Sequence, residues 1–165
     1  MTTIHDVNAM GAEAFMAAFG DVAEHSPWVA RHAAAERPFV SRDAMVEAFA
    51  AAVRAATREA QLALIRAHPD LATRAKLTDD SRREQAGAGL DTLSPEEFAR
   101  FTHLNDLYKA KFDFPFIFAV KGATKHQIMN SFAERVNNTV DDEFAMALRQ
   151  ISRIFRFRIE DRVAA

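Results

Sequence analysis

The chain has 165 residues, of which 49% are hydrophobic and 27% charged, and its formal net charge at pH 7 is −2. A slightly acidic chain of this length gives no electrostatic case for nucleic-acid binding, and it can bury a core as one domain over residues 1–165. The absence of cysteine excludes disulfides, thiolate zinc sites and a cysteine nucleophile.

Four segments in the first half of the chain have helical periodicity. Asn8 is the expected N-cap of the first. Ser26-Pro27 opens a second, short helix, and Arg37-Pro38 ends it because a residue before proline leaves the α region. Ser41 caps a third, longer helix, and a fourth runs through residues 60–65.

The second half contains the clearest helix start, at Ser94-Pro95, with Glu97 completing a capping box. Two more helices are predicted, over residues 124–136 and from Asp141 onward. Residues 112–120 are aromatic and contain a proline that blocks a regular helix, so we predict a buried, extended connector there. The predicted fold is therefore all-α, with about seven to nine helices in one compact domain.

Nothing in the sequence predicts a membrane protein. No run of about 18 apolar residues is present, so no transmembrane helix and no membrane partner are expected. Residues 1–6 lack the basic flank and apolar stretch of a signal peptide, and residues 163–165 are not a peroxisomal signal. We expect a cytoplasmic protein.

His68 is the first candidate for chemistry. It precedes Pro69 and should mark a helix C-terminus, where the helix dipole favours a protonated imidazole. The structural alternative is a capping or surface histidine, which is the commoner role of a histidine taken at random. None of the six histidines has a metal-ligand spacing, so no metal site is predicted.

Glu84 is the second candidate. Ser81 and Glu84 have the spacing of a capping box, which would be a purely structural role. A capping box does not explain the small-residue run at 85–89, which would fray a helix unless something packs closely against it. His68 and Glu84 together would supply a base and a carboxylate for proton transfer, without a cofactor.

Two further features are typical of a binding site. The buried connector carries backbone N–H and C=O groups that need partners, and a small polar ligand rich in ureide groups would be one. Arg156 and Arg158 cannot share a helix face at a separation of two, so one of them should point to the core side and require an anion or a carbonyl. A surface ion pair with Glu160 or Asp161 is the alternative.

In combination, these segments resemble the family of 2-oxo-4-hydroxy-4-carboxy-5-ureidoimidazoline (OHCU) decarboxylases, enzymes of urate breakdown that yield (S)-allantoin. The matching segments occur in family order and cover nearly the whole chain: residues 37–39, 68–72, 81–90, 104–108, 111–117 and 158–161.

The resemblance implies an all-helical homodimer that acts on a small ureidoimidazoline substrate without metal or organic cofactor. It also implies that His68 is the catalytic acid/base, that Glu84 is its carboxylate partner and that Arg158 is the site arginine. The implied substrate-binding residues are Pro69, Ser81, Arg82, Arg83, Gln85, Phe116, Ile117, Phe118, Ala119, Val120 and Arg158.

The chain departs from the family pattern at two places. Asp113 stands where the family usually has glycine, so we expect a differently shaped turn there. The stretch between Ala72 and Ser81 is shorter than in some members.

Two other functions remain open from the sequence. A ureide hydrolase or isomerase would use the same His68 and Glu84 but would not release CO2. A non-catalytic helical binding module would use residues 114–118 to hold a partner, and it predicts an exposed apolar patch there.

Overall fold

The computed structural model describes residues 1–73 and 77–165, and in these residues the chain forms nine helices and a single isolated β-bridge, between Thr2 and Val163. The predicted all-α fold is confirmed. The stretch between Ala72 and Ser81 includes residues 74–76, which lie outside the described residues. The helices are α1 Ile4–Ala9, α2 Ala12–Phe19, α3 Trp28–Ala34, α4 Arg42–Arg54, α5 Arg58–Arg66, α6 Asp79–Gly87, α7 Pro95–Phe112, α8 Lys125–Arg135 and α9 Val140–Arg162.

The chain divides into two compact units. The first unit contains residues 1–67 and 152–165, and the second contains residues 68–151. His68 is thus the first residue of the second unit, and α9 contributes to both units.

Phenylalanine rings form the core of the first unit. The ring centroid of Phe15 lies 5.1 Å from that of Phe19, 6.5 Å from that of Phe39 and 6.4 Å from that of Phe49. Phe49 in turn meets Phe155 edge-on at 6.1 Å. Such tilted and edge-to-face pairs add to the stabilisation that burial of the rings provides.

The predicted cap at Asn8 is wrong. Asn8 lies inside α1, and Gly11 is the N-cap of the helix that carries Phe15. The Asn8 amide instead pairs with the backbone of Phe39, donating to its carbonyl at 2.8 Å and accepting from its N–H at 2.7 Å. The Asn8 side chain therefore binds backbone groups 31 residues away in sequence and does not cap a helix.

The predicted caps at Ser41 and Ser94 are confirmed. The Ser41 hydroxyl accepts a hydrogen bond from the Ala44 N–H, and Ser94 and Glu97 form the predicted capping box at the start of α7. Thr124 caps α8 in the same way. These caps satisfy backbone N–H groups that a helix leaves without partners in its first turn.

Tyr108 lies at the centre of the aromatic core of the second unit. Its ring centroid is 4.3 Å from that of Phe112, 5.5 Å from that of Phe116 and 5.9 Å from that of Phe132. This ring cluster anchors the segment that follows α7.

The predicted buried connector without regular helix is confirmed, with one change of boundary. Helix α7 includes Phe112, so the connector comprises residues 113–120. Asp113 ends α7 in the left-handed conformation, with φ of 62°. Glycine adopts this conformation without a steric penalty and aspartate tolerates it better than most residues, so Asp113 occupies a glycine-type turn.

Within the described residues, no helix has both the length and the apolar character needed to cross a membrane. The same residues contain no group of three His, Asp or Glu side chains placed to hold a metal ion.

Candidate active site

His68 is placed as the sequence predicts, directly after a helix end. Helix α5 ends at Arg66 with Ala67 as its C-cap, and His68 follows. The residue is only 8% exposed and its Nε2 atom is shielded from solvent. His68 is therefore not a surface histidine.

The loop that follows His68 is strained and is held by side chains of α6 and α7. Ala72 has φ of 58°, a left-handed conformation that costs a non-glycine residue about 1–2 kcal/mol. The Ala72 N–H donates to Gln85 Oε1 at 3.0 Å, and Asn105 Nδ2 donates to the Leu71 carbonyl at 2.9 Å. Backbone strain that is maintained by surrounding contacts is characteristic of functional loops.

Helix α6 has a buried polar face within the second unit. Ser81 and Gln85 are 5% and 6% exposed and lie one turn apart, and Glu84 beside them is half-buried. Arg82 and Arg83 are exposed. The two arginines form ion pairs with Asp79 and Asp80 respectively.

The predicted capping role of Ser81 is wrong. Helix α6 begins at Asp79 with Thr78 as its N-cap, and the Thr78 hydroxyl accepts from the Ser81 N–H at 3.3 Å. Ser81 is therefore the third helical residue, so a capping box does not account for its burial or for Glu84.

We expect Thr78→Ala to lower the free energy of unfolding by about 1 kcal/mol, because the substitution removes the N-cap of α6. Ser81→Ala retains this cap and should not show the capping loss. Urea unfolding followed by circular dichroism measures both variants. An unchanged free energy of unfolding in Thr78→Ala would contradict the assignment of the cap.

The connector is fixed through its backbone. The Ile117 carbonyl accepts from Arg135 Nη1 at 2.7 Å, and the Ala119 N–H donates to Gln150 Oε1 at 2.9 Å. The Val120 carbonyl accepts from the Ala123 N–H at 3.0 Å. Within the described part of the chain, the N–H and C=O of Phe118 make no hydrogen bond. The predicted need for backbone partners is thus met in part by protein side chains.

The connector does not offer the apolar surface that a binding module would use. Phe114 and Phe116 are 3% and 1% exposed, and Phe118 is half-buried. The Phe116 ring stacks on Phe132 with centroids 3.9 Å apart. These rings belong to the core, which removes the feature that the non-catalytic alternative requires.

A buried polar network, absent from the sequence predictions, supports the connector. Glu143 is fully buried and accepts through one oxygen from the Tyr108 hydroxyl at 2.6 Å and from Arg135 Nε at 2.9 Å. Burial and this hydrogen bond to Glu143 raise the pKa of Tyr108, so its hydroxyl stays protonated and donates. One feature of the sequence indicates that Arg135 is buried, because it shares an α8 face with Ile128 and Phe132.

The two C-terminal arginines point in different directions, as predicted. Arg158 is 3% exposed, and it donates to the Val22 carbonyl at 3.1 Å and to Glu24 Oε1 at 2.9 Å. Arg156 is exposed and pairs with Asp43 at 2.8 Å. In the first unit, the buried arginine thus has both a carbonyl and a carboxylate as partners, and its role toward a substrate stays a prediction.

Comparison with known proteins identifies the family. The family model described as OHCU decarboxylase matches residues 8–160. A 2-oxo-4-hydroxy-4-carboxy-5-ureidoimidazoline decarboxylase of Haloferax volcanii is 42% identical over 163 residues, covering 99% of this chain and 97% of that protein. The protein of the same name in Halalkalicoccus jeotgali is 43% identical over 159 residues, covering 96% of this chain and 90% of that protein.

Solved structures share the fold. A crystal structure of (S)-allantoin synthase superposes with a TM-score of 0.79 at 28% identity, covering 98% of this chain and 54% of that chain. An OHCU decarboxylase structure determined in the presence of (S)-allantoin has a TM-score of 0.69 at 20% identity, covering 92% and 97% of the two chains, and supports the fold alone. On the match over residues 8–160 and the 42–43% identities, this chain belongs to the OHCU decarboxylase family.

Proposed function

We propose that this chain is a cofactor-free carboxy-lyase that converts OHCU to (S)-allantoin and CO2. The observation that carries the proposal is its 42–43% identity to named OHCU decarboxylases along nearly the full length of both chains. The buried His68 and the strained loop after it support a catalytic centre in the second unit. By family resemblance, we also propose a homodimer in the cytoplasm.

The chemistry of the substrate explains why acid–base groups suffice. Its carboxylate is attached to a carbon that also bears a hydroxyl and lies next to a ring C=N. When the bond to CO2 breaks, its electron pair moves into this imine, so the substrate supplies its own electron sink. The protein has to orient the carboxylate and take the hydroxyl proton, so that the hydroxyl-bearing carbon becomes a carbonyl. It then has to deliver a proton to one face of the former imine carbon, which becomes the stereocentre of allantoin.

His68 is proposed to move these protons. Its neutral imidazole would take the hydroxyl proton, and the half-buried Glu84 would orient the ring or tune its basicity. A positioned base of this kind contributes about 10²–10⁴-fold in rate. Pro69, Ser81 and Gln85 are proposed to line the substrate on the same side, with Gln85 also holding the Ala72 N–H.

The connector is proposed to bind the ureido arm through its backbone. A ureide presents both N–H donors and a C=O acceptor, and the N–H and C=O of Phe118 match it. Because Gln150 takes the Ala119 N–H, Ala119 can contribute only its carbonyl. By family resemblance, the other proposed substrate contacts are those of Phe116, Ile117, Val120, Arg82, Arg83 and Arg158.

The proposal is tested by generating the unstable substrate in place. Urate, urate oxidase and the hydrolase that acts next produce OHCU, and circular dichroism then follows the appearance of optically active allantoin. We expect this chain to accelerate formation of the (S) enantiomer with release of one CO2. Racemic allantoin at the spontaneous rate would overturn the proposal, and (S)-selective conversion with ammonia or without CO2 would indicate a ureide hydrolase or isomerase.

A further inference from the structure

We propose that Arg135 and Gln150 are positioning residues, which hold connector residues 116–120 in the conformation that binds the ureido arm of the substrate. The inference rests on the proposed function, since it assigns these residues to the same site. Neither side chain needs to touch the substrate, because each acts through a backbone group of the connector.

The two side chains hold alternate residues of the connector from helices α8 and α9. Arg135 donates to the Ile117 carbonyl at 2.7 Å, and Gln150 accepts from the Ala119 N–H at 2.9 Å. Both contacts are buried, where a hydrogen bond is expensive to leave unmade. They fix the peptide groups on either side of Phe118, whose own N–H and C=O are the groups proposed for the ureide.

Arg135 is itself buried and held by contacts beyond the connector carbonyl. The residue is 6% exposed, and its Nε donates to Glu143 at 2.9 Å. Its guanidinium carbon also lies 4.3 Å from the centroid of the Phe116 ring. The planar guanidinium therefore binds a carboxylate, a connector carbonyl and a connector ring at once, which a lysine ammonium cannot do.

A connector fixed before the substrate arrives would improve binding. Ordering a flexible segment on binding costs conformational entropy, and a segment that is already ordered avoids this cost. Loss of either contact should therefore raise KM more than it lowers kcat, because proton transfer is assigned to His68 and not to the connector.

The experiment compares Gln150→Leu, Gln150→Glu and Arg135→Lys with the wild type. Leucine removes the acceptor for the Ala119 N–H, glutamate keeps one, and lysine keeps the charge opposite Glu143 without the guanidinium fork. Ile128→Val in α8 is the control, because it trims a fully buried side chain and lowers stability while leaving the Arg135 and Gln150 hydrogen bonds to the connector in place. KM and kcat are measured together with inhibition constants for (S)-allantoin and for hydantoin, the same ring without the ureido arm.

We expect Gln150→Leu and Arg135→Lys to raise KM and the (S)-allantoin inhibition constant by about five- to tenfold. The hydantoin constant and kcat should change less than about twofold, Gln150→Glu should recover most of the binding, and Ile128→Val should bind as the wild type does. Equal loss for both inhibitors, or kinetics of the two variants that match Ile128→Val, would overturn the inference. An inactive wild type would instead refute the proposed function.

Discussion

Replacing His68 with asparagine should lower kcat by about 10²–10⁴-fold while the free energy of unfolding changes little. Asparagine is polar and fits within the volume of the imidazole, but it cannot accept and return a proton near neutral pH. His68→Ala should show the same loss and leave a small cavity in addition, since the histidine is 8% exposed. Initial rates of (S)-allantoin formation and urea unfolding measure the two effects separately.

The stereochemistry of the product gives a second readout for the His68 variants. If the imidazole delivers the proton to one face, the allantoin that still forms should be racemic, because spontaneous protonation has no facial preference. His103→Asn provides the matched control, since His103 is an exposed histidine on α7 of the same unit. Full (S)-selective activity in His68→Asn would rule out the proposed mechanism.

Local sequence patterns predicted the helices well where one capping signal was present. Only one start of α7 is consistent with the pattern of Ser94, Pro95 and Glu97. In the structure the helix begins there. At α6 the sequence offers two overlapping signals, since Thr78 lies three residues before Ser81 and Ser81 three before Glu84. The Thr78 hydroxyl takes the Ser81 N–H, so the helix begins at the earlier of the two.

The buried polar contacts of the candidate site could not be predicted from local sequence patterns. Arg135 meets a carbonyl 18 residues away and Tyr108 meets a carboxylate 35 residues away. Helical periodicity reports which face of a helix is buried, but it does not identify which residues meet across the core. His68 and Glu84 could be chosen as candidates because a proline and a small-residue run mark their surroundings locally.

Removing either partner of the Arg158–Glu24 pair should lower the free energy of unfolding by about 3–5 kcal/mol. The two side chains are 3% and 1% exposed and 2.9 Å apart, so Glu24→Ala or Arg158→Ala leaves an uncompensated buried charge. The double variant Glu24→Leu/Arg158→Met removes both charges and should recover most of the loss. Arg156→Ala, which breaks an exposed pair with Asp43, should remain close to the wild type in stability and activity.

The double variant also separates the two roles that Arg158 could have. Its guanidinium already binds the Val22 carbonyl and Glu24, so a loss of activity in Arg158→Ala alone could reflect a damaged first unit. In the double variant the buried charges are gone and the fold is recovered, so any remaining defect concerns the substrate. If Arg158 binds the substrate, KM should stay raised by about tenfold or more, the loss expected for a charged hydrogen bond. A return of wild-type KM together with wild-type stability would assign Arg158 to the structure of the first unit alone.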